Sequence, residues 1–174
     1  MEALTNNIFN IQLLLESGGL ILWIILIASV VMWTLIMERY IYVYFIHPSQ
    51  LKTLLADWHG RAERTSWYAH KVREGMISES SAALKQNLMS IRTLIAALPM
   101  LGLLGTVDGM IQTFDVLTVF GTGNARGMAG GISIALITTM GGLLAALSGM
   151  YFSAQLEQRV TRSVDNVADA LRRD

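Results

Sequence analysis

The sequence predicts an all-α membrane protein: three transmembrane helices with long helical extensions on one side of the bilayer. Three observations carry that prediction. Apolar residues make up 53% of the chain and charged residues only 15%. The apolar residues gather into three blocks, each long enough for the roughly 20-residue helix that crosses a membrane. The lysines and arginines lie almost entirely to one side of those blocks.

The blocks are residues 19–37, 94–120 and 128–152, read as spans one, two and three. Around them lie an N-terminal segment (1–18), a polar helical region (38–93), a short connection (121–127) and a C-terminal helix (153–174). The first block reads as a retained span rather than a signal peptide. The residues before it carry Glu2 and Glu16 but no lysine or arginine, and Glu38-Arg39 follows it where a small-residue cleavage site would stand.

Eight of the cations fall between spans one and two and four after span three, which leaves Arg126 alone in the connection. Three crossings therefore place twelve of the thirteen on one side. Because cytoplasmic flanks are enriched in Lys and Arg, the N-terminus is expected outside and the C-terminus inside. The connection, Gly121-Thr122-Gly123-Asn124-Ala125-Arg126-Gly127, has the glycine and asparagine content of a tight external turn.

Span one continues without a breaker through Tyr40, Tyr42 and Tyr44, rings suited to a membrane interface, and its helix is expected to reach Pro48. Helices are expected over 49–57 and 78–92, with breaks at Gly60 and Gly75, the second running on into span two. The polar region is too small for a catalytic domain with its own core. Its apolar positions are expected to pack on the other helices, including 154–171.

Several functions are excluded as expectations. Net charge is zero and no basic block exists, which argues against nucleic-acid binding. There is no cysteine, and His47, His59 and His70 have no ligand spacing, so no metal or other cofactor is expected. The spans hold no histidine and no serine paired with a base, so enzymatic chemistry is not expected.

The informative residues lie in spans two and three. Gly131, Ala135, Thr138, Gly142, Ala145 and Gly149 recur every three or four residues and form one small face of span three. Small faces let membrane helices approach closely, and self-association into a ring is the expected use. Hydroxyls form a second pattern: Thr106 and Thr113 lie near Gly102 and Gly109, while span three offers Ser133, Thr138, Thr139 and Ser148. Each has two readings, a bond to its own helix carbonyl or a place in the lining of a proton path.

Asp108 falls within span two, where a carboxylate is costly and a functional role is the default. Capping a neighbouring helix or facing an outer vestibule is the equal alternative. With Gln112 and Asp115 it forms an i, i+4, i+7 series, Asp115 reaching the interface. Pro99 is expected to free a carbonyl and bend span two.

The run Leu98-Pro99-Met100-Leu101-Gly102-Leu103-Leu104-Gly105-Thr106-Val107-Asp108-Gly109, continuing to Phe114, resembles the signature of the MotA/TolQ/ExbB proton-channel family. Residues 131–146 resemble its second signature. Three spans and small size are more like the ExbB branch than the four-span MotA branch. The resemblance implies a subunit in the bacterial inner membrane, its N-terminus periplasmic. It implies a pentamer around the helices of an ExbD-like single-span partner, whose aspartate carries protons, and a TonB-like protein energised for outer-membrane import. A TolQ-like role in envelope maintenance and a passive ring scaffold are the alternatives. By position, Thr106 and Thr139 match the family's pore threonines, with Thr138 a second choice beside Thr139; Thr113 and Ser133 complete the candidate lining. One departure stands out: Ile134 occupies the place where relatives often carry a glutamate.

Overall fold

The computed structural model describes residues 18–60, 67–121 and 124–171. Residues 1–17, Thr122-Gly123 and 172–174, expected as an outer segment, a loop tip and the end of the tail, lie outside the described residues. The described chain is helical and contains no strand. Its helices are α1 (Gly19–Ile41), α2 (His47–His59), α3 (Trp67–Lys85), α4 (Leu88–Phe120) and α5 (Ala125–Ala170), with a π-helical turn at Tyr42–Ile46. Three helical stretches, Gly19–Phe45, Trp67–Phe120 and Ala125–Ala170, are long and apolar enough to cross a membrane.

Two compact units divide the described residues: 18–33 with 93–150, and 34–92 with 151–171. In the first, α1 buries Ile21, Ile25 and Met32 along one narrow stripe. Leu20, Trp23, Ile24, Ile27 and Val30 stay exposed, Leu20 at 75%. In water each such side chain would forgo about 1.5–3 kcal/mol of burial. Against lipid tails it forgoes little, because the tails are as apolar as leucine.

Contacts within this unit fix the helix directions. Leu22 meets Gly141 and Met32 meets Gly149, so α1 and α5 run the same way. Thr113 meets Gly131, Gly105 meets Thr138, and Gly142 meets the Leu98 carbonyl, so α4 runs against α5. Three successive crossings require this alternation.

The second unit has its own apolar cluster, Trp58, Ala69, Val167 and Leu171, with Leu51, Leu54, Met76 and Ile77 packed on it. The polar region thus buries its apolar positions partly against the C-terminal part of α5. Arg39, 2% exposed, donates through Nη1 to the Ala83 carbonyl (3.1 Å) and stands 5.1 Å from the Tyr42 ring centroid. Arg73 donates to the Ala168 carbonyl at 2.9 Å. The Arg92 guanidinium grips both carboxylate oxygens of Glu157.

Several boundaries differ from those expected. The break at Gly75 is absent: α3 runs through it, since the packing of Ala69, Met76 and Ile77 on the cluster outweighs the roughly 1 kcal/mol helix cost of an exposed glycine. The expected continuity into span two is interrupted at Gln86-Asn87, where Asn87 takes φ 61°, a conformation asparagine tolerates better than most residues. Helix α5 begins within the segment 121–127, at Ala125. Asn124 caps α5 by accepting the Gly127 N–H at its Oδ1 (3.1 Å), which brings Ala125 and Arg126 into the first turn. Helix does continue past Pro48, and the π turn falls just before it, where the chain accommodates the missing proline N–H by a wider register.

Candidate functional site

The candidate site is the seam between α4 and α5 in the first unit. A Cβ on Gly102 would lie 3.2 Å from Thr139 Cα, and one on Gly109 would lie 2.5 Å from the Gly131 carbonyl oxygen. On Gly105 it would overlap the Thr138 side chain. From the other side, a Cβ on Gly142 would lie 2.6 Å from the Leu98 carbonyl oxygen and 3.0 Å from Gly102 Cα. Glycines alternate across the seam, so the two backbones approach too closely for any larger residue.

This places the small stripe of span three. Gly131, Ala135 and Gly142 are buried against α4, and Gly149 against Met32 of α1 and Ile95 of α4. Ala145 is half-buried. The neighbour of this face is the chain's own hairpin, whereas its expected use was contact with another copy. One chain already holds an antiparallel partner of matching small-residue spacing, Gly102, Gly105 and Gly109.

The hydroxyls divide by position. Thr138 is fully buried opposite Gly105, its Oγ1 donating to the carbonyls of Ile134 (2.9 Å) and Ala135 (3.1 Å). Thr113 is buried opposite Gly131 and donates to the Gly109 carbonyl at 2.9 Å. Thr139 bridges the helices: its Oγ1 lies 2.9 Å from the Ala135 carbonyl oxygen and 3.2 Å from that of Gly102. Thr106, one turn beyond Gly102, is half-buried and donates to the Leu103 carbonyl at 2.6 Å. Ser133 is exposed on α5, and Ser148 donates to the Ala145 carbonyl.

Asp108 is half-buried and accepts a 2.9 Å hydrogen bond at Oδ2 from Gln112 Nε2. The i, i+4 spacing made that bond possible. Asp115 is exposed near the end of α4. Among the described residues no group of His, Asp or Glu is arranged to hold a metal ion. Ile134 is half-buried on α5 and brings no ionisable group to the seam.

Sequence reasoning did not single out Gly105, which faces Thr138, or the Gly102 carbonyl, which accepts from Thr139. The 102, 105, 109 spacing held the signal for the first. A backbone acceptor carries no sequence signal of its own.

Three apolar helices, two joined by a glycine-lined seam that carries threonine hydroxyls, define a multi-pass helical membrane protein with polar groups held inside its hydrocarbon-spanning part. Residues 46–169 match the model of the MotA/TolQ/ExbB proton channel family, and the chain belongs to that family. Among curated proteins, it is 35% identical over 98 residues to the biopolymer transport protein ExbB-like 1 of Synechocystis sp., covering 55% of this chain and 39% of that protein. It is 39% identical over 82 residues to the biopolymer transport protein ExbB homolog of Methanothermobacter thermautotrophicus, covering 47% of this chain and 29% of that protein. The matched parts therefore span only 29–39% of the relatives' own length.

Proposed function

We propose that the chain forms the channel wall of a proton-driven motor in the bacterial inner membrane, with its N-terminus periplasmic and its helical extensions cytoplasmic. Five copies surround the single membrane helices of an ExbD-like partner, whose aspartate takes up and releases protons. The assembly energises a TonB-like protein that opens outer-membrane import of iron complexes and vitamins. The chain itself performs no covalent chemistry.

The observation that carries this reading is the proton-channel family match across residues 46–169, which includes both threonine-bearing helices. The seam geometry supports a mechanism. A threonine hydroxyl has one donor and two lone pairs. Resting on a backbone carbonyl, it can accept from a protonated carboxyl, and by rotating it donates to a carboxylate. Thr106 and Thr139 thus solvate the partner's acid in both protonation states without titrating. Leu103 and Met140, close to these threonines in sequence, present exposed apolar side chains that would limit water leakage in the assembled ring. With Ile134 in place of an acid, the proton step rests on the partner's carboxylate alone.

The test is purification of the full chain after co-expression with the reading frames beside its gene. The expected result is a ring of five copies retaining a short single-span protein with an aspartate in its span. A chain that purifies as a functional monomer without such a partner would overturn the proposal.

A further inference from the structure

The sharpest feature outside the threonine seam is a groove in the second unit, of about 500 Å³, lined by Val43, Tyr44, Gln155, Gln158, Arg159 and Arg162, with Ser163 at its edge. Its composition is unlike that of the spans. Two guanidinium groups, two amides and a hydroxyl face one apolar and one aromatic side chain. The Arg159 guanidinium stacks 4.9 Å from the Tyr44 ring centroid, and Tyr44 itself lies parallel to Tyr40 at 6.3 Å. Tyr40 donates to the Phe152 carbonyl at 3.4 Å, which ties this aromatic group to α5.

Charge balance points to an anion. Of the two carboxylates nearest these arginines on α5, Glu157 is held by Arg92, and Asp165, three residues past Arg162, makes no ion pair with it. Among the described residues no carboxylate is ion-paired with Arg159 or Arg162. Two arginines one turn apart, with the Gln158 amide beside them while Gln155 Nε2 donates to the Tyr151 hydroxyl at 2.8 Å, match the oxygens of a phosphodiester.

Depth points to which anion. Glu38 and Arg39 are the first charges after the apolar run of span one. Tyr44 follows Arg39 by five residues, about 8 Å of helix. Arg159 lies seven residues past Phe152, about 10 Å along α5. The headgroup layer occupies about 5–8 Å beyond each face of the hydrocarbon core. Arginine side chains reach back toward that layer along apolar surface, and tyrosine rings favour it.

We infer that this groove is a binding site for the phosphodiester headgroup of an anionic glycerophospholipid, held by Arg159 and Arg162 and seated against Tyr44. The lipid's acyl chains extend along the exposed apolar residues toward the bilayer. The site needs only the membrane crossings, not the proton path, so the two can fail separately.

Native mass spectrometry of the full complex, released from nanodiscs of mixed phosphatidylglycerol and phosphatidylcholine, tests the inference. The wild type is expected to retain phosphatidylglycerol selectively. Arg159→Gln with Arg162→Gln should lower retention about tenfold or more, because two charge-assisted contacts are lost. Arg126→Gln, which removes a cation at the other end of α5, should leave it unchanged. Should the double variant fail to assemble, Arg162→Gln alone suffices, since that side chain is exposed, with a several-fold loss expected. Unchanged phosphatidylglycerol retention in the arginine variants would overturn the inference. So would equal retention of phosphatidylcholine, or displacement of the lipid by millimolar inorganic phosphate, which would mark a free-anion site.

Discussion

At the residue scale, adjacent threonines in one helix have different surroundings. Thr138 sits in the seam, fully buried, satisfied by its own helix and pressed against Gly105. Thr139 is only partly buried and shares its hydroxyl with the Gly102 carbonyl of the opposing helix. Valine nearly matches threonine in shape but cannot donate. Thr138→Val is therefore expected to leave proton-driven import intact at a stability change of about 1 kcal/mol. Thr106→Val or Thr139→Val should leave assembly intact and abolish import; uptake assays beside a size measurement of the ring distinguish these outcomes. A passive scaffold would instead tolerate valine at all three.

His47 is buried at the start of α2, and burial holds its pKa below the ordinary value near 6.5. The folded chain thus favours neutral imidazole, while the unfolded chain takes up a proton as pH falls through about 6.5. The stability this contributes is complete above that pH and declines below it, until the folded state also protonates. Melting of the purified protein should occur at lower temperature at about pH 5.5 than at about pH 7.5. His47→Leu should flatten that difference, and an unchanged pH dependence in the variant would assign it to other groups.

At the element scale, the α4–α5 hairpin depends on glycine where the backbones meet. Gly105→Leu would drive a side chain into Thr138, and an overpacked core typically loses about 1–3 kcal/mol or rearranges. The expected result is a lower melting temperature in detergent and loss of the assembled ring. The Asn87 break makes a second, independent prediction. At φ 61°, Asn87→Gly should be neutral or slightly stabilising, whereas Asn87→Val should cost about 1–2 kcal/mol, measured as a shift in thermal unfolding.

These elements also show how much the sequence disclosed. The spans were legible because apolar length is a direct statement of what surrounds a helix. The small stripe was legible as a packing face, since Gly131, Ala135 and Gly142 repeat at helical spacing. Its partner was not, because spacing reveals a face but not what covers it. Gly75 misled because an exposed glycine in a helix is decided by its neighbours' packing. The turn at Asn87 was missed because asparagine, unlike proline, permits both helix and its interruption.

At the scale of the whole molecule, the described residues form two compact units, each with its own buried residues. α5 alone runs 46 residues, about 70 Å at the standard rise, more than twice the hydrocarbon thickness. Its C-terminal part supplies Val167 and Leu171 to the Trp58 cluster. The expected topology places Arg126 outside and Ser163 inside. Single cysteines introduced at these positions should react with a membrane-impermeant thiol reagent from opposite sides, and labelling from the same side would refute it.

The most direct measurement is proton flux into liposomes containing the chain together with its acid-bearing single-span partner. An imposed pH gradient should drive uptake with the wild type and with Thr138→Val, and none above lipid background with Thr139→Val. Wild-type flux through the Thr139→Val assembly would contradict a path that passes its hydroxyl.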